Sequence, residues 1–84
     1  MSTESATIVF NNVSKNTVKE LEIPLDITAN DLVIALNEAY KLDIDVSNIK
    51  RCYLQSENPV ALLKGNRKLS DFGVRNGTIV YFTE

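Results

Sequence analysis

The stretch that most constrains this chain is Thr78-Ile79-Val80-Tyr81-Phe82, an unbroken run of β-branched and aromatic residues near the end of the sequence. Such a run has the composition of a strand buried on both faces, and strands of that kind lie inside a sheet. The residues before it supply the approach. Leu69 offers an apolar anchor, and Ser70 and Asp71 are side chains that bond nearby backbone amides in tight turns. Gly73 and the Asn76-Gly77 pair mark positions where the backbone takes positive φ cheaply. The last strand is therefore expected at the centre of a sheet, with earlier strands on both sides of it.

Those earlier strands can be read from alternation. In residues 6–12, Ala6, Ile8 and Phe10 share one face, while Thr7, Val9 and Asn11 share the other. Asn11 to Asn16 holds the turn formers of a hairpin loop. Residues 17–25 answer with Leu21, Ile23 and Leu25 on one face and Glu20, Glu22 and Pro24 on the other. Pro24 has no N–H for a ladder, which places this strand at a sheet edge or at its own end.

A helix follows. Thr28 with Asp31 three residues on is a capping-box pattern, with Asp in place of the usual Glu or Gln. Ala29, Leu32, Val33, Leu36 and Tyr40 fall in one stripe, with Asn30, Asn37, Glu38 and Lys41 away from it and Ile34 off the stripe. Burying that stripe against the hairpin is worth ~1.5–3 kcal/mol per large side chain. Residues 42–48 read as a polar connection with apolar residues tucked beneath. Residues 49–55 read as a third strand, with Cys52 and Leu54 on one face and Arg51, Tyr53 and Gln55 on the other. Glu57-Asn58-Pro59 turns the chain, Val60 to Leu63 is a short fourth strand, and Lys64 to Arg67 loops back. The order is ββαββ, a short turn or 3-10 element, and a final β. This α+β succession, with one crossing helix and a central last strand, is the β-grasp arrangement.

Size and charge bound what such a domain can do. Eighty-four residues with 44% hydrophobic and 24% charged side chains make one globular unit. Residues 1–5 lack the apolar core of a signal peptide and read as a disordered tail ahead of a domain spanning 6–84. No apolar run approaches the ~20 residues that cross a bilayer, so no direct membrane insertion is expected. A single cysteine, Cys52, forms no internal disulfide and favours a reducing, cytoplasmic setting.

Residues 1–48 carry three basic and eight acidic side chains, a balance of −5. Residues 49–84 carry six basic and three acidic, a balance of +3. The basic half suits an acidic protein partner better than nucleic acid, for which six dispersed cations in an acidic chain are too thin a footprint.

Catalytic and cofactor chemistry finds little purchase. Histidine is absent, which removes the commonest general base and any Ser-His or Cys-His nucleophile pair. Asp43 and Asp45 are two residues apart, but no further oxygen ligands follow at calcium-loop spacing, so no metal site is assigned. Glu20 and Glu22 share a strand face with nothing nearby to shift either pKa. Cys52 alternates onto the apolar face, as a small buried hydrophobe does. No glycine-rich turn enters the helix to cradle a phosphate. The expectation is a binding module with no cofactor.

Across residues 6–83 the chain resembles ubiquitin and its relatives. Leu21-Glu22-Ile23 with Thr28 is similar to the second strand and helix start, and Leu69-Ser70-Asp71-Phe72 followed by Thr78-Ile79 is similar to the turn and final strand. The element from Leu69 to Gly77 most resembles the small YukD/EsaB family, associated with type VII secretion in Gram-positive bacteria. The resemblance implies a mixed sheet in the order 2-1-5-3-4 packed on one helix. Conjugated modifiers and β-grasp sulfur carriers end in an exposed Gly-Gly. Here Phe82-Thr83-Glu84 stands after the last strand, so a conjugated modifier is not expected.

The resemblance also implies recognition through the sheet face opposite the helix. By alternation that face is expected to present Val9, Arg51, Tyr53, Val80 and Phe82, with Ile79 and Tyr81 pointing inward. Taken together, these readings describe a non-catalytic, cytoplasmic accessory component or regulator of a type VII secretion system, acting through protein contacts. The alternatives are a ubiquitin-like adaptor in another pathway and a β-grasp carrier. Oligomeric state is left open.

Overall fold

A computed structural model describes residues 4–48 and 50–83. The first two strands, β1 (Ser5–Asn12) and β2 (Thr17–Pro24), form an antiparallel hairpin paired along its whole length, from Ser5 opposite Pro24 to Asn12 opposite Thr17. Its loop is closed by the buried Asn12, whose Oδ1 accepts from the Ser14 hydroxyl at 3.0 Å and the Lys15 amide at 3.3 Å. The strand starts one residue earlier than alternation suggested. Ser5 thus belongs to the sheet, and the Glu4 carbonyl just ahead of it accepts from the Leu25 amide at 2.9 Å. The expected tail otherwise falls on residues 1–3, outside the described residues.

Helix α1 (Ala29–Tyr40) starts where the capping pattern places it. Thr28 Oγ1 accepts from the Asp31 amide at 3.0 Å, and Asp31 Oδ2 accepts from the Thr28 amide at 3.2 Å. Aspartate thus closes the box despite its shorter side chain. Ala29, Leu32, Val33 and Leu36 are buried, Tyr40 packs with its ring 5.2 Å from that of Phe10, and Ile34 is half-buried. Past the helix, Leu42 and Ile44 are buried beneath an otherwise polar connection.

Strand β3 (Leu54–Glu57) is shorter and later than the expected 49–55; Ile49, where that expectation begins, lies outside the described residues. Its parity is as expected, with Cys52 and Leu54 buried and Tyr53 exposed. Strand β4 (Ala61–Leu63), a 3-10 turn (Leu69–Phe72) and β5 (Ile79–Phe82) complete the chain.

The sheet order is β2-β1-β5-β3-β4, with β5 parallel to β1 and antiparallel to β3. This is the ubiquitin-like β-grasp fold. The two edges are β2, which ends at Pro24, and the three-residue β4.

The turn leading to β5 is held by backbone bonds. The Leu69 amide donates to the Ile27 carbonyl (2.9 Å), and the Ser70 amide to that of Leu25 (3.1 Å). No side-chain cap from Ser70 or Asp71 is needed, contrary to the expectation for those residues. Gly73 at φ 79° and Gly77 at φ 90° take the left-handed conformation expected of them.

The two faces of β5 are the reverse of those expected. In β5 it is Val80 (0% exposed) and Phe82 (8%) that enter the core, while Ile79 and Tyr81 are half-buried on the outer face. The reason is register. Phe10 pairs with Val80 and Asn12 with Phe82 on the core side, and Val9 pairs with Ile79 and Asn11 with Tyr81 on the other. That register is set upstream. Asn76 Oδ1 accepts from the Thr7 amide at 2.8 Å, and the Gly77 amide donates to the Thr7 carbonyl at 3.0 Å. Thr7 is an outward-facing residue of β1, so the residues two and four beyond Gly77 also face outward.

Candidate functional site

With β5 correctly faced, the outer surface of the sheet carries Val9 and Asn11 from β1, Ile79 and Tyr81 from β5, Gln55 from β3 and Leu62 from β4. Tyr53, just ahead of β3, alternates onto the same side and is 38% exposed; Leu62 is 42% exposed. Tyrosine suits this setting, an apolar ring with a hydroxyl that stays in water.

Tyr53, Gln55 and Tyr81 line a groove of about 340 Å³ that runs to the end of β5. Its rim is polar and of mixed sign: Asp43 and Asp45 stand with Lys50 and Arg51. Asp45 is held in place by its neighbour. Its Oδ1 accepts from the Ser47 hydroxyl at 2.6 Å and the Ser47 amide at 3.1 Å, and these bonds push its pKa below the ordinary 3.8. It therefore remains a carboxylate at neutral pH. The segment carrying these charges is tied to α1 by Asn37, whose amide accepts from the Ile44 N–H (2.9 Å) and donates to the Ile44 carbonyl (3.2 Å).

Of the residues the sequence nominated, Arg51 and Tyr53 come together in this groove, and Val9 lies on the same sheet face. Val80 and Phe82 do not belong with them; both are core residues, and only a sliver of Phe82 reaches the groove floor. Sequence reasoning missed Ile79, Tyr81 and Leu62; alternation had set Gln55 on the face of Arg51 and Tyr53 without nominating it. The one signal available was Tyr81 itself, whose hydroxyl favours the wetter face of an otherwise apolar strand.

Cys52 faces the other way. It is 4% exposed, its thiol donates to Asn30 Oδ1 at 3.0 Å, and burial pushes its pKa up, so it is held as the neutral thiol.

The family model for YukD, described as a protein of the WXG100 protein secretion system, matches residues 7–81. The chain belongs to the YukD family. A comparison with curated protein sequences finds no match. Among solved structures, this YukD-family chain is similar to the ubiquitin-like domain of tubulin-binding cofactor B (TM-score 0.74, 21% identity, covering 95% of this chain and 89% of that one). It is also similar to the C-terminal ubiquitin-like domain of mouse tubulin-specific chaperone e (0.69, 18%, 96% and 87%). A third similar structure is the corresponding domain of Plasmodium falciparum Dsk2 (0.61, 21%, 95% and 100%). At these identities the likeness is one of fold. The YukD-family chain is thus a ubiquitin-like module associated with type VII secretion. Among the described residues, no helix is long and apolar enough to cross a membrane.

Proposed function

We propose that this protein is a non-catalytic interaction module of the type VII secretion apparatus, working in the cytoplasm and engaging a protein component of that apparatus through the outer sheet face. The observation that carries this reading is the pairing of Tyr53 and Tyr81 in one surface groove, with Arg51 on its rim. Rigid aromatic side chains beside an arginine are the composition of interface anchors. Leu62 and Ile79 extend the apolar surface across the sheet beyond what a solvated face needs. The single thiol, neutral and hydrogen-bonded, fits a binding role better than a nucleophilic one.

The test is the double substitution Tyr53→Ala with Tyr81→Ala, followed by recovery of secretion components from source-cell extract. A cooperative thermal transition like that of the wild type, with capture reduced at least about tenfold, supports the reading. Undiminished capture by the folded double variant overturns it. Arg51→Ala is expected to slow association and reduce its salt sensitivity.

A further inference from the structure

A second, larger depression of about 670 Å³ opens where the start of α1, the segment 46–52 and the loop after β4 meet. Asn30 joins its walls. The Asn30 backbone N–H donates to the Gly65 carbonyl at 3.0 Å, and its side-chain Oδ1 accepts from the Cys52 thiol at 3.0 Å. The Ala29 amide adds a bond to the Arg67 carbonyl at 2.9 Å. Walls already bonded to one another need no ordering by an occupant, which removes a usual cost of binding.

The chemistry of the lining points one way. Three of the chain's nine Lys and Arg side chains, Lys50, Lys64 and Arg67, line this depression, and among the described residues no carboxylate does. The aromatic groove, in contrast, has two aspartates on its rim. Arg67 is oriented, its guanidinium 5.0 Å above the Phe72 ring and its Nη2 3.4 Å from the Asp71 carbonyl. Because Asn30 Oδ1 already accepts the thiol proton, the remaining capacity of that amide group is chiefly donor. Cations and amide donors thus surround a partly apolar floor of Val46 and Cys52.

We propose that this depression docks an acidic peptide segment of a partner protein. Carboxylates of the segment meet Lys50, Lys64 and Arg67, and an apolar side chain between them rests on Val46 and Cys52. The site shares Lys50 with the rim of the aromatic groove, but its other lining residues are its own, and it stands whether or not that groove binds a partner. A nucleic acid fits less well. Three cations on a chain of net charge −2 give a phosphate backbone little to follow, and the apolar floor offers a phosphate nothing. A peptide uses both.

The test uses the whole chain and short fluorescein-labelled peptides in which glutamates flank a leucine placed at successive positions. Anisotropy gives the dissociation constant, and amide shifts of the 15N-labelled protein give the location. At least one peptide is expected to bind saturably, to shift Asn30, Cys52 and Gly65, and to weaken as salt rises. Lys64→Glu with Arg67→Glu is expected to raise its dissociation constant at least about tenfold with an unchanged melting transition. Lys50→Glu gives a second charge reversal that leaves the Arg67–Phe72 contact intact. Replacing the glutamates by glutamines is expected to abolish binding. Tyr53→Ala with Tyr81→Ala is expected to leave it unchanged, which separates this site from the outer face. The proposal is overturned if no peptide saturates below ~1 mM, if charge reversal has no effect, or if shifts centre on Tyr53 and Tyr81. Tighter binding to anionic phospholipid vesicles or to single-stranded DNA than to any peptide overturns it equally.

Discussion

Strands β1 and β5 lie side by side and parallel, yet they are specified in different ways. In β1 the pattern chooses the face. Ala6, Ile8 and Phe10 are buried and Thr7 is exposed, so shifting the strand by one residue would put polar groups in the core. In β5, Ile79, Val80, Tyr81 and Phe82 are all compatible with burial, and composition alone leaves the choice of face open. Asn76 and Gly77, docked on the backbone of Thr7, make the choice instead. A strand patterned on one face carries its own orientation; a strand apolar on both faces takes it from hydrogen bonds outside itself.

The strongest way to break this comparison is to place a charge on each face of β5. Val80 is fully buried, so Val80→Asp leaves a carboxylate with no water and no partner, a penalty of several kcal/mol against a typical total of ~5–15. Tyr81→Asp puts the same charge at a half-buried position on the outer face and is expected to leave a cooperative fold. Urea unfolding of the two variants decides it. If Tyr81→Asp unfolds the domain and Val80→Asp does not, the faces are the reverse of those described.

The same distinction explains how far the sequence could be read. The hairpin, the helix stripe with its Thr28–Asp31 cap, the edge position of Pro24 and the central last strand were all visible, because each rests on a local pattern. Three of the five nominated interface residues, Val9, Arg51 and Tyr53, lie on or beside the outer face, since their neighbours alternate. Val80 and Phe82 were misplaced because the polar signals within Thr78–Phe82 conflict. The hydroxyl of Tyr81 marks the outer side, but Thr78, on the side of Val80 and Phe82, carries a hydroxyl too, buried against the Asn58 carbonyl at 2.8 Å. The late start of β3 was also hidden. Residues 50–53 have strand-like alternation, but the Arg51 and Cys52 amides bond the Asn48 carbonyl (2.9 and 3.0 Å) in a turn instead.

A second test moves to the segment after the helix, which anchors rather than pattern also hold. Asn37 lies off the apolar stripe, yet its side chain makes both hydrogen bonds to Ile44. Removing both in Asn37→Ala is expected to cost about 2 kcal/mol, from ~1 kcal/mol net per bond. Glu38→Ala, its exposed neighbour, is expected to change little. Equal melting midpoints for the two variants would show that the segment is held by burial of Leu42 and Ile44 alone.

A third test addresses the turn that sets the β5 register. Around Gly77 an added Cβ meets nothing nearer than Asn58 Nδ2 at 4.0 Å, so Gly77→Ala creates no clash. Its cost is that of holding a non-glycine residue at φ 90°, about 1–2 kcal/mol. Asn76→Ala removes the bond to the Thr7 amide and is expected to cost ~1 kcal/mol. Both are measurable in urea. The sharper readout is hydrogen exchange at Val9, whose amide donates to the Thr78 carbonyl at 2.9 Å. Faster exchange there in both variants ties the turn to the pairing of β1 with β5; unchanged exchange would separate them.

The smallest effect concerns Asp45, where an anchor is wholly exposed and its consequence is confined to titration. The Ser47 hydroxyl is the main cause of the lowered Asp45 pKa, with the Ser47 amide next, and the field of Arg51 adds a little. A carboxylate whose pKa is lower in the folded state stabilises that state above its unfolded value, and the stabilisation is lost as pH falls through the folded value. For Asp45 the contribution is therefore complete at neutral pH and disappears only below the ordinary 3.8. Ser47→Ala removes the hydroxyl donor and keeps the amide, so the Asp45 pKa is expected to rise part of the way back. Ser47→Thr, which keeps a hydroxyl, is expected to leave it low. Carboxyl carbon shifts followed through an acid titration read this directly. Thermal stability at neutral pH is expected to be nearly the same in all three proteins, because solvent screens an exposed pair strongly. An Asp45 titration unaltered by Ser47→Ala would mean that the backbone, and not the side chain, holds this rim of the groove.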